Sequence, residues 1–430
     1  MNDANSTNLN VFYQDELVGR VVTVDGVSIR FSYAPDWLKN QKSFPLSVSL
    51  PLRGGFSDEA ANNFFVNLLP EENVRRRTCA KLGISDGNNF ELLKRIGGEC
   101  AGAITILHSE QPPDKLHEEK SEYEAITTEQ LQRWSRGVEN VFAEVAGSPK
   151  VRLSLAGAQD KLPVLQEGEK FYLAKNASPS SHIMKFPSTT FKHLPENEVF
   201  TTWLAGSIGL ETAKVKLLMV DLPEGKQNRI ALIERYDRLT ENGKLKRLHQ
   251  EDFCQALGLH PAQKYEKEGG PTLADCAKLI RGHCTIPAIE LEKLVRWSVF
   301  NWLCHNADAH GKNISFLFAE DGRTTVAPFY DLVCTKNYEH IDEDLAMKIG
   351  GQSEPGAISQ RSLETFASEI EVSAKLVKTI TKESALRLLK NLPAQSALFE
   401  AEYGKSPILE RIPHIVTRLC KRALYALGIG

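Results

Sequence analysis

Asp308 and Asn313 stand five residues apart in Asn306-Ala307-Asp308-Ala309-His310-Gly311-Lys312-Asn313, and Asp331 follows in Pro328-Phe329-Tyr330-Asp331. Those residue types at that spacing suit phosphoryl transfer. Asp308 can accept the proton of an attacking hydroxyl while Asn313 and Asp331 hold Mg²⁺ against the phosphates of ATP. Carboxylate and amide oxygens are hard ligands, and Mg²⁺ completes its coordination with water and phosphate. Gly311 lets the backbone turn sharply between them. By itself the spacing suits a helix cap equally well, because Asn and Asp also occupy such positions for purely structural reasons.

The elements that must position these residues are legible on either side. Ile289 to His305 carries Leu291, Leu294, Val295, Val299, Phe300 and Leu303, apolar on several faces, and predicts a buried helix that delivers the loop. Ile314 to Phe318 and Thr324 to Ala327 bracket Glu320-Asp321-Gly322 and predict a hairpin between the loop and Asp331. Upstream, Ser154-Leu155-Ala156-Gly157-Ala158-Gln159-Asp160-Lys161 is a small-residue loop ahead of the strand Leu162 to Leu165. Backbone N–H groups in such a loop can approach a phosphate, although one glycine also fits a plain β-turn. Lys185 lies in the apolar strand His182 to Phe186 and should face an anion or water, or point outward from a sheet edge. Glu198, at the start of a helical run from Glu196 to Ile208, is a candidate partner for it. Ile230 to Ile233 is a continuous apolar strand ending in Glu234-Arg235-Tyr236-Asp237-Arg238, where a sheet lobe would pass into a helical one.

Composition sets the frame. With 430 residues the chain should hold two or three domains with ample core. A formal net charge of -3 argues against coating nucleic acid by bulk charge and leaves local basic faces open. Eight scattered cysteines without a C-x-x-C pair predict reduced, mostly buried thiols in a cytoplasmic protein, and Cys304 beside His305 and His310 fits no common zinc spacing. No apolar run approaches 18 residues and no signal-peptide pattern opens the chain, so no membrane partner is expected. At the N-terminus, Val21 to Val24 and Val27 to Phe31 flank Asp25-Gly26 as a two-residue hairpin. Glu110 to Glu124, polar with Pro112-Pro113, reads as a linker. Lys375, Lys378, Lys382 and Arg387 give the C-terminal part a basic character that suits either a solvated helix face or a phosphate contact.

Taken together, Ser154 to Lys161, His182 to Phe186, Glu234 to Arg238, Gln250 to Ala256, Lys264-Tyr265 with Gly269-Gly270-Pro271, Asp308 to Asn313 and Pro328 to Asp331 resemble the HipA family of serine/threonine kinase toxins. Tyr33 to Leu38, Pro45 to Leu52 and Asn63 to Pro70 resemble that family's N-terminal subdomain. The motifs follow the same order over nearly the whole chain. The resemblance implies an α+β, two-lobed protein-kinase-like fold with an extra N-terminal β-containing subdomain and an all-helical C-terminal lobe. Its expected divisions are an N-terminal subdomain over 1-125, an ATP-binding sheet-containing lobe over 126-247, and a helical lobe carrying the catalytic loop over 248-430.

The resemblance also implies roles. Asp308 is the proton acceptor, Asn313 and Asp331 are the metal ligands, and Lys185 holds phosphates. Leu155, Ala156, Gly157, Ala158, Gln159, Asp160 and Lys161 cover ATP. Backbone groups of Glu234 and Tyr236 meet adenine, and Asp237 lies near the ribose. His310, Lys312 and Tyr330 belong to the nucleotide side, and Ser154 is an autophosphorylation site that silences the kinase. Mg²⁺ and ATP are the implied cofactors. A HipB-like helix-turn-helix antitoxin, operator DNA reached through that complex, and a protein substrate that in the best-known case is an aminoacyl-tRNA synthetase are the implied partners. Ala-Gly-Ala in the phosphate loop and Leu332-Val333 after Asp331 depart from ordinary protein kinases and are normal for this family.

Two other readings use the same residues. A small-molecule kinase would label a metabolite pool from ATP where a protein kinase labels lysate protein. A non-enzymatic corepressor would need none of Lys185, Asp308, Asn313 and Asp331, all of which are present.

Overall fold

The computed structural model describes residues 8–23, 25–108, 123–137, 140–148, 151–154, 156–157, 159–175, 177–339 and 341–429. Leu155 and Ala158 of the expected phosphate loop, Val24 of the expected hairpin, and most of the expected linker lie outside the described residues. The chain forms two compact units, one of Met1–Phe186, Ile233–Pro261 and Leu317–Glu320, the other of Pro187–Leu232, Ala262–Phe316 and Asp321–Gly430. Among the described residues no helix is long and apolar enough to cross a membrane. All eight cysteines are buried and none is in a disulfide.

The first unit begins with strands β1 (Asn8–Tyr13), β2 (Glu16–Thr23), β3 (Ile29–Tyr33) and β4 (Ile104–Leu107), in the order β3-β2-β1-β4. Leu9, Val11, Val21 and Phe31 of β1 to β3 are buried, and the helix Asp58–Val66 packs Phe65 against Phe31 with ring centroids 5.5 Å apart. Ser57 starts that helix by accepting a hydrogen bond from the Ala60 N–H. The expected two-residue hairpin is longer in the structure. The Asp25 carboxylate accepts the Val27 N–H at 2.9 Å, the Ser28 N–H at 2.6 Å and the Ser28 hydroxyl at 2.8 Å, so Val27 and Ser28 are drawn into the turn and pairing resumes at Ile29 opposite Thr23.

The same unit contains β5 (Tyr123–Ala125), β6 (Lys161–Glu167), β7 (Lys170–Ala174) and β8 (His182–Lys185), in the order β5-β7-β6-β8. β6 and β8 are antiparallel, with Lys161 opposite Lys185 and Leu162 opposite Met184. Leu162, Val164, Leu173 and Met184 are buried, so the core face of the sheet fixes this register. Thr127 caps the helix Thr128–Trp134 through a capping box with Gln130.

In the second unit the expected helix forms as Pro287–Leu303, entered through Pro287 and buried along Leu291, Leu294, Trp297, Phe300 and Trp302. Trp302 also donates its indole N–H to the Pro355 carbonyl at 2.9 Å. The helix Leu194–Ser207 packs against the long helix Ala374–Tyr403, where Phe200 meets Phe399 edge-on at 5.5 Å. Of the basic residues near 380, Lys378 pairs with Glu364 at 2.6 Å and Arg387 donates to the Ile208 carbonyl at 3.2 Å, while Lys375 and Lys382 are exposed.

Candidate active site

The helix Pro287–Leu303 ends in a turn that shapes the Asp308 loop. His305 takes a left-handed conformation (φ 54°), and the Asn306 N–H returns to the Asn301 carbonyl at 2.8 Å. Inside the loop Asn306 accepts the Asp308 N–H at 3.1 Å through its side-chain oxygen. Thr335 buttresses it from the segment after Asp331, accepting the Ala307 N–H at 2.9 Å and donating its hydroxyl to the His305 carbonyl at 2.8 Å. The five-residue spacing now has a geometric reason. Asn313 donates its side-chain N–H to the Asp308 carbonyl at 2.7 Å, which closes the loop and leaves the amide oxygen as the ligand-type atom.

Asp308 itself is half exposed, at 51%, whereas Asn313 is buried. The hydroxyl of Tyr265 donates to Asp308 Oδ1, and His310 Nε2 lies 3.7 Å from the same oxygen. Tyr330 donates its hydroxyl to the Lys312 carbonyl at 2.8 Å and meets the Ser315 hydroxyl at 2.6 Å, tying the hairpin after the loop to the loop. Asp331 is left-handed at φ 53°. A non-glycine residue there costs on the order of 1–2 kcal/mol, the sort of backbone strain that collects where a side chain must be aimed. The segment before it is fixed, since Phe329 accepts the Ala213 N–H at 2.9 Å and stacks on Trp297 at 5.9 Å. Among the described residues no group of three or more His, Cys, Asp or Glu gathers into a self-sufficient metal cage. One Asn and one Asp suit an ion that shares its shell with phosphate and water.

In the first unit, Gly157 has φ 114°, a conformation that suits glycine, and its carbonyl accepts the Glu71 N–H at 3.2 Å. A Cβ there would come within 2.8 Å of Lys161 Nζ, which places that ammonium directly against the loop. Lys185 is buried to 5% exposure across the ladder from Lys161. In the second unit Glu198 is likewise buried, at 2%. Ala156 and Gln159 are half-buried in the loop.

Two residues of the expected nucleotide set, Asp160 and Asp237, and the expected autophosphorylation site Ser154 turn out to be engaged in framework contacts. Asp160 accepts the N–H groups of Asn140 and Val141 at 2.7 Å and of Phe142 at 2.8 Å, capping the helix Val141–Ala146 with both oxygens. Asp237, 2% exposed, accepts from Arg235, from Arg238 and from the Gly102 N–H, the last at 2.8 Å. Its neighbours hold its carboxyl below the usual range against the upward push of burial. Ser154 is fully buried, donates its hydroxyl to the Leu68 carbonyl at 2.6 Å, and gives its N–H to the Glu99 carbonyl at 2.8 Å. Glu234 is exposed, and the Tyr236 hydroxyl donates to Gln250.

Sequence reasoning missed Glu99. Its buried carboxylate takes the Ser180 N–H and hydroxyl, Arg235 and Arg238 on Oε1 and Arg247 on Oε2. Burial pushes its carboxyl up, and Arg238, Arg247 and Arg235 outweigh that and hold it well below the carboxylate range. A glutamate between Gly-Gly and Cys carries no periodic signal, so nothing local marked it.

The family model for the HipA N-terminal domain matches residues 9–107, and that for the HipA-like C-terminal domain matches 153–392. The chain belongs to the HipA family. It is 31% identical to the serine/threonine-protein kinase toxin HipA of Shewanella oneidensis, over 96% of each chain. It is 37% identical to the putative kinase Y4mE of Sinorhizobium fredii, covering 86% of this chain and 87% of that one. Among solved structures, the Shewanella oneidensis HipA–HipB–operator DNA complex contains a chain that superposes with a TM-score of 0.81 at 28% identity, over 98% of this chain and 97% of that one. The α+β kinase-like fold and membership of the HipA serine/threonine protein kinases, the kinase toxins of toxin–antitoxin systems, follow from these matches, and with them the use of ATP.

Proposed function

We propose that this HipA-family kinase arrests growth by transferring the γ-phosphoryl group of Mg-ATP to a seryl hydroxyl on a cytoplasmic translation protein, an aminoacyl-tRNA synthetase being the first substrate to test. The observation that carries the reading is the Asp308–Asn313 loop closure at 2.7 Å beside a half-exposed Asp308 carboxylate. In this reading Asp308 orients the acceptor hydroxyl and receives its proton. Lys185 and Lys161, opposite each other on the β6/β8 ladder, are assigned to the phosphates, Leu155, Ala156, Gly157, Ala158 and Gln159 to covering ATP, and Lys312, His310 and Tyr330 to binding the nucleotide. Backbone groups of Glu234 and Tyr236 face adenine, and Asp237 supports that segment from within its ion cluster. Asn313 and Asp331 hold Mg²⁺, which when bound neutralises charge on the phosphates. The corresponding segments are 1-125, 126-247 and 248-430.

A HipB-like antitoxin and operator DNA are the proposed regulatory partners, since the superposing Shewanella oneidensis chain is part of such a complex. Exposed Lys375 and Lys382 are the side chains to test for a DNA contact, through the salt slope of operator binding. Ser154 is the proposed autophosphorylation site. Phosphopeptide mass spectrometry after expression of the wild type and of Asp308→Gln tests the central reading and names the substrate. Phosphoserine peptides found only with the wild type support it, and identical phosphopeptide sets with both proteins refute it.

A further inference from the structure

The hydrogen bond from Tyr265 to Asp308 is made by a residue to which the reading above assigns no role. Tyr265 is held from several sides. The carbonyl of its neighbour Lys264 accepts the Gly311 N–H at 3.1 Å, which fastens the segment to the Asp308 loop itself. The Tyr265 carbonyl accepts the N–H groups of Glu268 and Gly270, each at 2.9 Å. Gly270 has no room for a side chain, because a Cβ would stand 2.2 Å from the Gln263 carbonyl oxygen and 2.7 Å from that of Tyr265. Glu266 anchors the far side by donating its N–H to Ala346 at 3.1 Å and accepting the Lys348 N–H at 2.7 Å. The phenol ring stands edge-on to His310 with centroids 5.0 Å apart, and the ammonium groups of Lys264 and Lys267 lie 5.6 and 5.9 Å from its centre. This loop fixes one hydroxyl against one carboxylate.

Both contacts to the Asp308 carboxylate, from Tyr265 and from His310, fall on Oδ1. Among the described residues Oδ2 takes no donor. A carboxylate pinned through one oxygen presents the other in a set direction, and that is the oxygen an acceptor hydroxyl can reach. A donor on Oδ1 also draws charge from the base. In the loose transition state of phosphoryl transfer, however, the acceptor oxygen has formed little bond to phosphorus and gains little from a stronger base. It gains from alignment, whose loss is costly even when small.

We propose that Tyr265 is a positioning residue for phosphoryl transfer, its hydroxyl fixing Asp308 so that Oδ2 meets the seryl hydroxyl. The inference rests on the reading of Asp308 as proton acceptor. Tyr265→Phe is the discriminating variant because it keeps the ring against His310 and the two lysines and removes only the hydroxyl. Initial rates of ³³P transfer from Mg-ATP into host-lysate protein are measured over a range of ATP concentrations for wild type, Tyr265→Phe and Asp308→Asn, with thermal melting of each. The expected result is a kcat lower by roughly tenfold for Tyr265→Phe, equivalent to one factor of ten in transition-state stabilisation, with KM for ATP and the melting temperature unchanged. A Tyr265→Phe enzyme at full rate while Asp308→Asn is inactive overturns the positioning role and leaves the kinase reading standing. A fall in rate accompanied by a raised KM and a lowered melting temperature overturns it too, by showing a packing role. A fully active Asp308→Asn overturns both readings.

Discussion

Lys161 and Lys185 face each other directly across the antiparallel β6/β8 ladder. Residues so placed share one face of a sheet with Cβ atoms about 5 Å apart, and like charges there repel. The structure nonetheless buries Lys185 and folds the Lys161 ammonium against Gly157. In the proposed reading both lysines serve the phosphates of ATP. Lys161→Met and Lys185→Met should each weaken Mg-ATP binding by roughly tenfold, the scale of one charge-assisted hydrogen bond lost. Isothermal titration reads this, and unchanged affinity in both variants would remove the pair from the phosphate site.

Glu99 holds three guanidiniums while Asp237 shares two of them, so Arg235, Arg238 and Arg247 against Glu99 and Asp237 leave a buried excess of one positive charge. Taking away a carboxylate leaves cations buried without compensation. Glu99→Ala should therefore cost about 3–5 kcal/mol in urea unfolding, and a cost below about 1 kcal/mol would show that the cluster is solvated in solution.

Glu251 gives a pH signature. Burial drives its carboxyl up to about 8, against the lowering effect of the hydrogen bonds from the Ser47 hydroxyl and the Val48 N–H. The folded protein thus keeps this proton over a range where the unfolded chain, with a carboxyl near pH 4, has lost it. Stability from this group is complete below that lower value and is lost as pH rises toward 8. Glu251→Gln should flatten the decline in melting temperature between about pH 5 and pH 8 that the wild type shows. Parallel curves for the two proteins would place an ionised Glu251 in the fold.

Ser154 cannot be phosphorylated where it stands, because its hydroxyl is buried on the Leu68 carbonyl. A phosphate adds about -1.5 to -2 charges, which that site has no room to solvate. In the proposed switch, modification follows release of Ser154 from the Leu68 carbonyl and keeps it released, with loss of nucleotide binding. Intact mass after incubation with Mg-ATP should show one added phosphate that Ser154→Ala lacks, with nucleotide affinity lost in the modified protein only. A protein phosphorylated on Ser154 that binds ATP as before would refute the switch.

What the sequence made legible was local. The helix before Asp308, the loop spacing, the hairpin after it and the strand bearing Lys185 all follow from periodicity and turn residues, while the strand expected from Leu162 begins one residue earlier, at Lys161. The uses of Asp160, Asp237 and Glu99 were not legible, because each is decided by partners far along the chain. Asp160 caps a helix that starts some twenty residues earlier, and Glu99 reaches Arg235 across 136 positions. Composition cannot distinguish a carboxylate that meets a ligand from one that meets a buried arginine. Tyr265 stood in a recognisable Lys-Tyr and Gly-Gly segment, and only its hydrogen bond to Asp308 showed what the segment supports.

The most direct test of the account is the phosphoryl-transfer rate of Asp308→Asn. The substitution keeps size and shape, removes the proton-accepting charge, and leaves the backbone carbonyl that Asn313 binds. Transfer from γ-labelled ATP to lysate protein should fall on the order of 10²-fold or more, with Mg-ATP affinity retained and growth arrest on expression abolished. Transfer at the wild-type rate would contradict the assignment of Asp308, and with it the mechanism built on this loop.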